Sequence, residues 1–115
     1  MKILGSVAVV PSTDRGGAVR RFVAVYDSEP LHEFPIEGRD LNVSVFPGVS
    51  VLSGPASALA ELANLRASVF VASVADAEVE LRQAGWTIEG GLGGASVLAR
   101  DPDGNLLEFV ENPSA

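Results

Sequence analysis

A chain of 115 residues, 47% hydrophobic and 20% charged, has the composition of one globular domain with a sizeable core and not of a disordered segment. It contains no cysteine, which removes disulfides, thiolate metal sites and cysteine nucleophiles and fits a reducing cytoplasm. A net charge of −7 with no basic stripe argues against a nucleic-acid partner and mildly favours a cationic small ligand.

Met1-Lys2 followed by Ile3 to Val10 imitates a signal peptide only weakly. The apolar run is short, Pro11 and Asp14 follow at once, and no A-x-A site appears, so a buried first strand is expected. No apolar run approaches ~18 residues, so no transmembrane helix and no membrane partner are expected. Ser12, Thr13 or Asp14 can cap a helix carrying Val19, Phe22, Val23 and Tyr26, although Gly16-Gly17 is poor material for its first turn. Leu31 to Ile36, Leu41 to Phe46 and Val49 to Ser53 read as three short strands punctuated by Pro35, Gly38 and Pro47-Gly48.

Pro55 to Arg66 is a connector of helical composition, either a short helix or an extended crossing segment. Ala67 to Val74 returns to strand. Ser73, with Asp76 three residues on, then starts a helix that carries Val79 and Leu81 and stops at Gly85. Trp86 to Glu89, Ala95 to Arg100 and Leu106 to Glu111 complete the strands. Gly90-Gly91-Leu92-Gly93-Gly94 is no phosphate loop, because neither a Lys-Ser/Thr pair nor a helix follows; it reads as a flexible hairpin connection, the alternative being a mobile lip over a cleft.

The stretch from Arg100 to Glu111 carries the most information. Asp101-Pro102-Asp103-Gly104-Asn105 is a tight turn, with Pro102 fixing φ and Gly104 permitting φ > 0. Closing it there pairs Arg100 with Leu106, Leu98 with Glu108 and Ser96 with Val110. Period-2 alternation places Leu107 and Phe109 on one face and Leu106, Glu108 and Val110 on the other. Glu108 therefore sits mid-strand between apolar neighbours, an expensive place for a charge unless it is used.

The order β-α-β-β-β, connector, β-α-β-β-β is a duplication, with module one at about 1–54, the connector at about 55–66 and module two at about 67–115. An offset of 62 aligns Ser6 with Ser68, Asp14 with Asp76 and Val19 with Leu81; with a gap of five, Val51 falls on Glu108.

Strand–helix order, the duplication and the DPDGN–strand–Glu ending together resemble the vicinal oxygen chelate superfamily, the fold of glyoxalases, extradiol dioxygenases and bleomycin-resistance proteins. The resemblance spans the whole chain as a single domain. It implies an α+β fold in which two βαβββ modules form a half-open, barrel-like cleft. It also implies that small units of this kind pair as homodimers. The superfamily's metalloenzymes draw His or Glu ligands from the first, fourth, fifth and last strands, and Glu108 matches the last of these. The first and fifth strands here carry no His, Asp or Glu, so no metal and no other cofactor is expected. His32, the single histidine, falls outside the ligand strands and reads as structural or solvent-facing.

The expected function is that of a metal-free, small-molecule binding protein that sequesters a drug or metabolite in an apolar cleft. Glu108, Arg100, Leu98, Phe46, Trp86 and Phe70 are the candidate ligand-binding residues, the aromatics being core residues of which one or two line the cleft. The alternative is a lyase or isomerase of the glyoxalase type, with Glu108 as catalytic base or with a divalent metal completed by a partner subunit.

Overall fold

A computed structural model describes residues 1–93 and 95–111 of the chain. Gly94 of the glycine-rich connection lies outside the described residues. Eight strands and three helices follow in the expected order: β1 (Ile3–Ser12), α1 (Arg15–Tyr26), β2 (His32–Ile36), β3 (Leu41–Phe46), β4 (Val49–Ser53), α2 (Ala56–Ala60), β5 (Leu65–Val71), α3 (Val74–Gln83), β6 (Thr87–Ile88), β7 (Ser96–Arg100) and β8 (Leu106–Glu111). The α+β class is therefore as read from the sequence. The connector contains a short helix, α2. The chain forms two compact units, one of Val7–Ala63 and one of Met1–Ser6 with the chain from Asn64 onward.

In the first unit the strands are hydrogen-bonded in the order β2-β3-β4-β1. β2, β3 and β4 are antiparallel, and β4 runs parallel to β1. β1 continues through Pro11 to Ser12, whose carbonyl accepts from the Gly54 N–H at 3.2 Å. Asp14 caps α1, its carboxylate accepting from the Gly17 N–H at 3.1 Å. A Cβ on residue 17 would lie 2.3 Å from Asp14 Oδ2, so the weak helix-forming Gly17 is what lets the cap close. The helix buries Ala18 against Phe46 and Val51, with Val19, Phe22, Val23 and Tyr26 packed around them. The rings of Phe22 and Tyr26 each stand 5.5 Å from that of Phe46.

The second unit repeats the plan with the order β5-β8-β7-β6. Here Ser73 caps α3 by accepting from the Asp76 N–H at 3.2 Å. The helix buries Ala77 and Leu81, one turn apart, over Val71, Val97, Ala99 and Phe109. Val79, expected on that face, points outward and is 55% exposed. The β7–β8 hairpin has the predicted register, Arg100 opposite Leu106, Leu98 opposite Glu108 and Ser96 opposite Val110. Asp101 organises its turn: one carboxylate oxygen accepts from the N–H groups of Asp103 and Asn105, and Gly104 takes φ +86°.

The strand registers correct the internal alignment. Ala8 faces Val49 as Ala67 faces Leu107, Val9 faces Ser50 as Ser68 faces Glu108, and Val10 faces Val51 as Val69 faces Phe109. The caps Asp14 and Ser73, and the buried Ala18 and Ala77, share the same spacing. Glu108 is thus the counterpart of Ser50, and Val51 is a core residue matching Phe109. An offset of 62 follows chance identities such as Asp14 with Asp76, which occupy different helix positions.

Candidate functional site around Glu108

On β8, Leu107 and Phe109 face the α3 core, so Glu108 must project from the opposite side of the sheet. Ser68 on β5 lies directly beside it, and Ser68 Oγ donates to Glu108 Oε1 at 2.8 Å. On the other flank, the Ser96 hydroxyl of β7, one step along the same face, lies near enough to the carboxyl group to favour its charged form. The Ser96 hydroxyl accepts from the Leu92 N–H at 3.0 Å. Two serines on the two neighbouring strands thus bracket one carboxyl group. None of the ion pairs among the described residues includes it.

Burial pushes the Glu108 carboxyl above the ordinary carboxylate pKa, and the hydroxyls of Ser68 and Ser96 offset part of that rise. Glu108 is half-buried. Around it the same face is apolar. Phe70 follows Ser68 two residues on and pairs with Val110, which follows Glu108 by the same step. Both are half-buried.

The other candidate residues are placed differently. Leu98 shares the face of Glu108 and lies opposite it, but at 2% exposure it is a packing residue without free surface. Arg100 is turned to the end of the hairpin, where it grips Glu89 with two nitrogens at 2.6 and 3.1 Å and donates to the Gly104 carbonyl at 2.8 Å. That pairing holds the Glu89 carboxylate below its usual range. Arg100 and Glu108 therefore do not act as a pair. Trp86 packs in the α3 core, its ring edge-on to Phe109 at 6.3 Å and 86°. Phe46 is wholly buried beneath α1 in the first unit. Neither aromatic lines the Glu108 face, because both are consumed in filling space between a helix and its sheet. His32 is exposed on β2 opposite Val45.

Ser68 and Ser96 escaped the sequence reading because serine is a bland residue in a strand. The signal existed: pairing Ser96 with Val110 already put one hydroxyl a step from Glu108 on the same face.

The donor set does not fit a divalent metal. Glu108 brings one carboxylate and its neighbours bring only hydroxyls, whereas a hard cation takes about six oxygen or nitrogen ligands, usually with further carboxylate or imidazole groups. The Glu108 position of the first unit carries Ser50, and the Ser68 position carries Val9. Among the described residues, no three His, Asp or Glu side chains gather into a metal-binding group. The first unit has a surface depression of about 270 Å³ beside α2, lined in part by Arg39, Asp40, Ser57 and Glu61. Arg39 already faces Glu61 there at 3.6 Å, and the lining is mainly polar, unlike the mainly apolar wall of a ligand pocket.

No protein-family model and no curated protein matches the sequence. Solved structures do match the fold. A hypothetical protein from Methanosarcina mazei superposes with a TM-score of 0.85 at 22% identity, over 100% of this chain and 97% of that one. Streptomyces coelicolor methylmalonyl-CoA epimerase in complex with 2-nitronate-propionyl-CoA gives a TM-score of 0.72 at 16% identity, over 92% of this chain and 94% of that one. A glyoxalase/bleomycin resistance protein/dioxygenase superfamily member from Vibrio splendidus gives 0.52 at 16% identity, over 96% and 100%. At these identities the likeness establishes the fold, which is that of the vicinal oxygen chelate proteins.

Proposed function

We propose that this chain, built on the vicinal oxygen chelate fold, is a metal-free binding protein that holds a small molecule against the Glu108 face of its second module. The observation that carries this reading is a half-buried carboxyl group bracketed by two hydroxyls on an otherwise apolar sheet face. A ligand site needs little more than apolar surface with a few placed polar groups, and Glu108, Ser68, Ser96, Phe70 and Val110 supply both. Glu108 matches the last metal-ligand position of the superfamily's metalloenzymes, but its companions are serines. The position then works as a hydrogen-bonding anchor, and the ligand, a drug or metabolite, is sequestered and released unchanged.

The homodimer belongs to the same proposal. Leu31, just before β2, and Phe34 within it are 58% and 47% exposed, apolar side chains that a second copy would cover. Light scattering that returns a monomer at working concentration removes it. No helix among the described residues is long and apolar enough to cross a membrane.

A second reading draws on the raised pKa of Glu108, which suits a general base in an isomerase or lyase. Calorimetry decides between the two. A small-molecule panel should give saturable binding that depends on Glu108, while titration with Mn²⁺ or Co²⁺ should give no stoichiometric heat. Saturable metal binding together with turnover of an α-keto hemithioacetal would sink the binding-only reading.

A further inference from the structure

We propose that the Glu108 face selects a planar ligand with two adjacent nitrogen donors, an amidine or an amino-substituted heteroaromatic ring, its N–H groups on Glu108 and its flat face along Phe70. This rests on the small-molecule reading above and names the ligand class for the same site. The hydrogen-bond directions set the polarity of that ligand. Ser68 donates to Glu108, while the Ser96 hydroxyl on the other flank is already held as an acceptor by the Leu92 N–H. A carboxylate has about four lone-pair positions, and the one donor from Ser68 leaves about three, enough for a fork of two N–H groups. Those remaining positions call for donors. A ligand carboxylate or phosphate would bring only acceptors to a carboxylate, and among the described residues no arginine or lysine is paired to Glu108 to receive it.

A fork of two N–H groups matches the geometry of a carboxylate better than a single ammonium, for the reason that guanidinium–carboxylate pairs are bidentate. The flatness of the ligand follows from Phe70. It stands on the same face of β5, one step along from Ser68, and is half-buried. Next to it β1 carries Gly5, where an added Cβ would meet only Phe70 Cδ2, at 4.0 Å. The chain therefore places no side chain at position 5 that would cover the ring. An amidinium lying over it gains cation–π attraction, and an aromatic body gains stacking. The net charge of −7 draws such a cation toward the protein.

Isothermal titration of the full chain with benzamidine, benzoate and acetamidine tests this. Benzamidine should bind at one site, benzoate should give no saturable heat, and acetamidine, lacking the ring, should bind roughly tenfold more weakly. Glu108→Gln and Phe70→Leu should each weaken benzamidine roughly tenfold. Should either variant fail to fold, amide NMR shifts of Ser68, Phe70 and Glu108 on titrating the unaltered chain with benzamidine replace it; shifts confined elsewhere overturn the proposal. Benzoate binding as tightly as benzamidine also overturns it, as does benzamidine binding that neither variant changes. If benzamidine fails while another compound of a broad panel binds in a Glu108-dependent way, the ligand class falls and the binding reading survives. If nothing binds through Glu108, both fall.

Discussion

The two modules share a backbone pair for pair and differ in what they do with the sheet face turned away from the helix. On the helix side the solutions are alike: Ala18 and Ala77 let each helix approach, Phe22 and Leu81 pack one turn later, and Val51 and Phe109 rise from the sheet to meet them. On the other side, Val9, Val43, Ser50 and Leu52 of the first module stand where Ser68, Ser96, Glu108 and Val110 stand in the second. Three strands that meet as Val-Ser-Val in one module meet as Ser-Glu-Ser in the other. The shared half of the pattern is what any βαβββ unit requires to bury its helix. The unshared half is free to carry chemistry, and it does so only in the second module.

The largest expected effect lies in the shared half. Phe46 is fully buried, and its counterpart by register is Ala99, also fully buried. The first module fills its core from the strand with one large ring, and the second fills it with Trp86 and Phe109 around a small alanine. Phe46→Ala should cost about 3–5 kcal/mol, the lost transfer free energy plus a cavity that its neighbours Phe22 and Tyr26 only partly close. Ala99→Phe should cost about 1–3 kcal/mol by overpacking. Urea denaturation gives both. Equal, small losses would mean that the two cores are interchangeable and that the contrast drawn between them is wrong.

Two carboxylates give the next test, because they are shifted in opposite directions. In the first module Glu33 accepts from Arg15 at 2.8 Å and from Ser44 at 2.9 Å, which lowers its pKa. In the second, burial raises that of Glu108. The Glu33 contribution is present above its unfolded pKa and is lost as pH falls through the lowered folded value. For Glu108 the folded state holds its proton longer than the unfolded chain. Its carboxyl therefore costs nothing while protonated in both states, and stability declines as pH rises from the unfolded pKa through the raised folded value. In urea midpoints taken from about pH 3 to about pH 8, Glu33→Gln should flatten the acid limb, and Glu108→Gln should remove the decline on the other side. Loss of the same limb in both variants would break the comparison. For ligand, Glu108→Gln should cost about 1.4 kcal/mol, the tenfold already expected, and Glu33→Gln should leave affinity unchanged.

Much of this is legible in the sequence alone. The hairpin from Ser96 to Val110 was fixed by its turn chemistry, because Asp101, Gly104 and Asn105 admit few closures. Placing Glu108 on the face opposite Phe109 needed only alternation. What failed were properties set by the third dimension. Phe46, Trp86 and Phe70 are all aromatics in or beside strands, and only helix position decides that the first two are core and the third is not. Arg100 shares a face with Glu108 by alternation, yet Glu89 just after β6 is its partner, because two-nitrogen pairing at the rim outweighs a contact further along the strand. The repeat offset went astray because identical letters in α1 and α3 sit at different distances from their caps.

The caps offer a smaller effect. Asp14→Ala and Ser73→Ala remove equivalent side-chain acceptors, for the Gly17 and Asp76 N–H groups. Each should cost about 1 kcal/mol by urea denaturation. Gly17→Ala should match Asp14→Ala, since its Cβ would displace the same carboxylate, and combining the two should add little. A full second loss in the double variant would show that Gly17 has another role.

The smallest expected effect sharpens the boundary of the site within the second module. Arg100 and Glu108 lie on adjacent strands of one hairpin, but Arg100 is committed to Glu89 and to the Gly104 carbonyl, with 28% of its side chain exposed and 36% of that of Glu89. An ion pair this open to water adds little to stability, since both charges remain solvated and screened. Arg100→Met should therefore lower stability only slightly, lose most of the difference in high salt, and leave benzamidine affinity within twofold, roughly 0.4 kcal/mol, of the unaltered chain. A tenfold loss would extend the binding face to the end of the hairpin and make Arg100 a partner of Glu108 after all. An unchanged affinity confines recognition to the three-strand band of Ser68, Glu108 and Ser96, the band in which the two modules differ most.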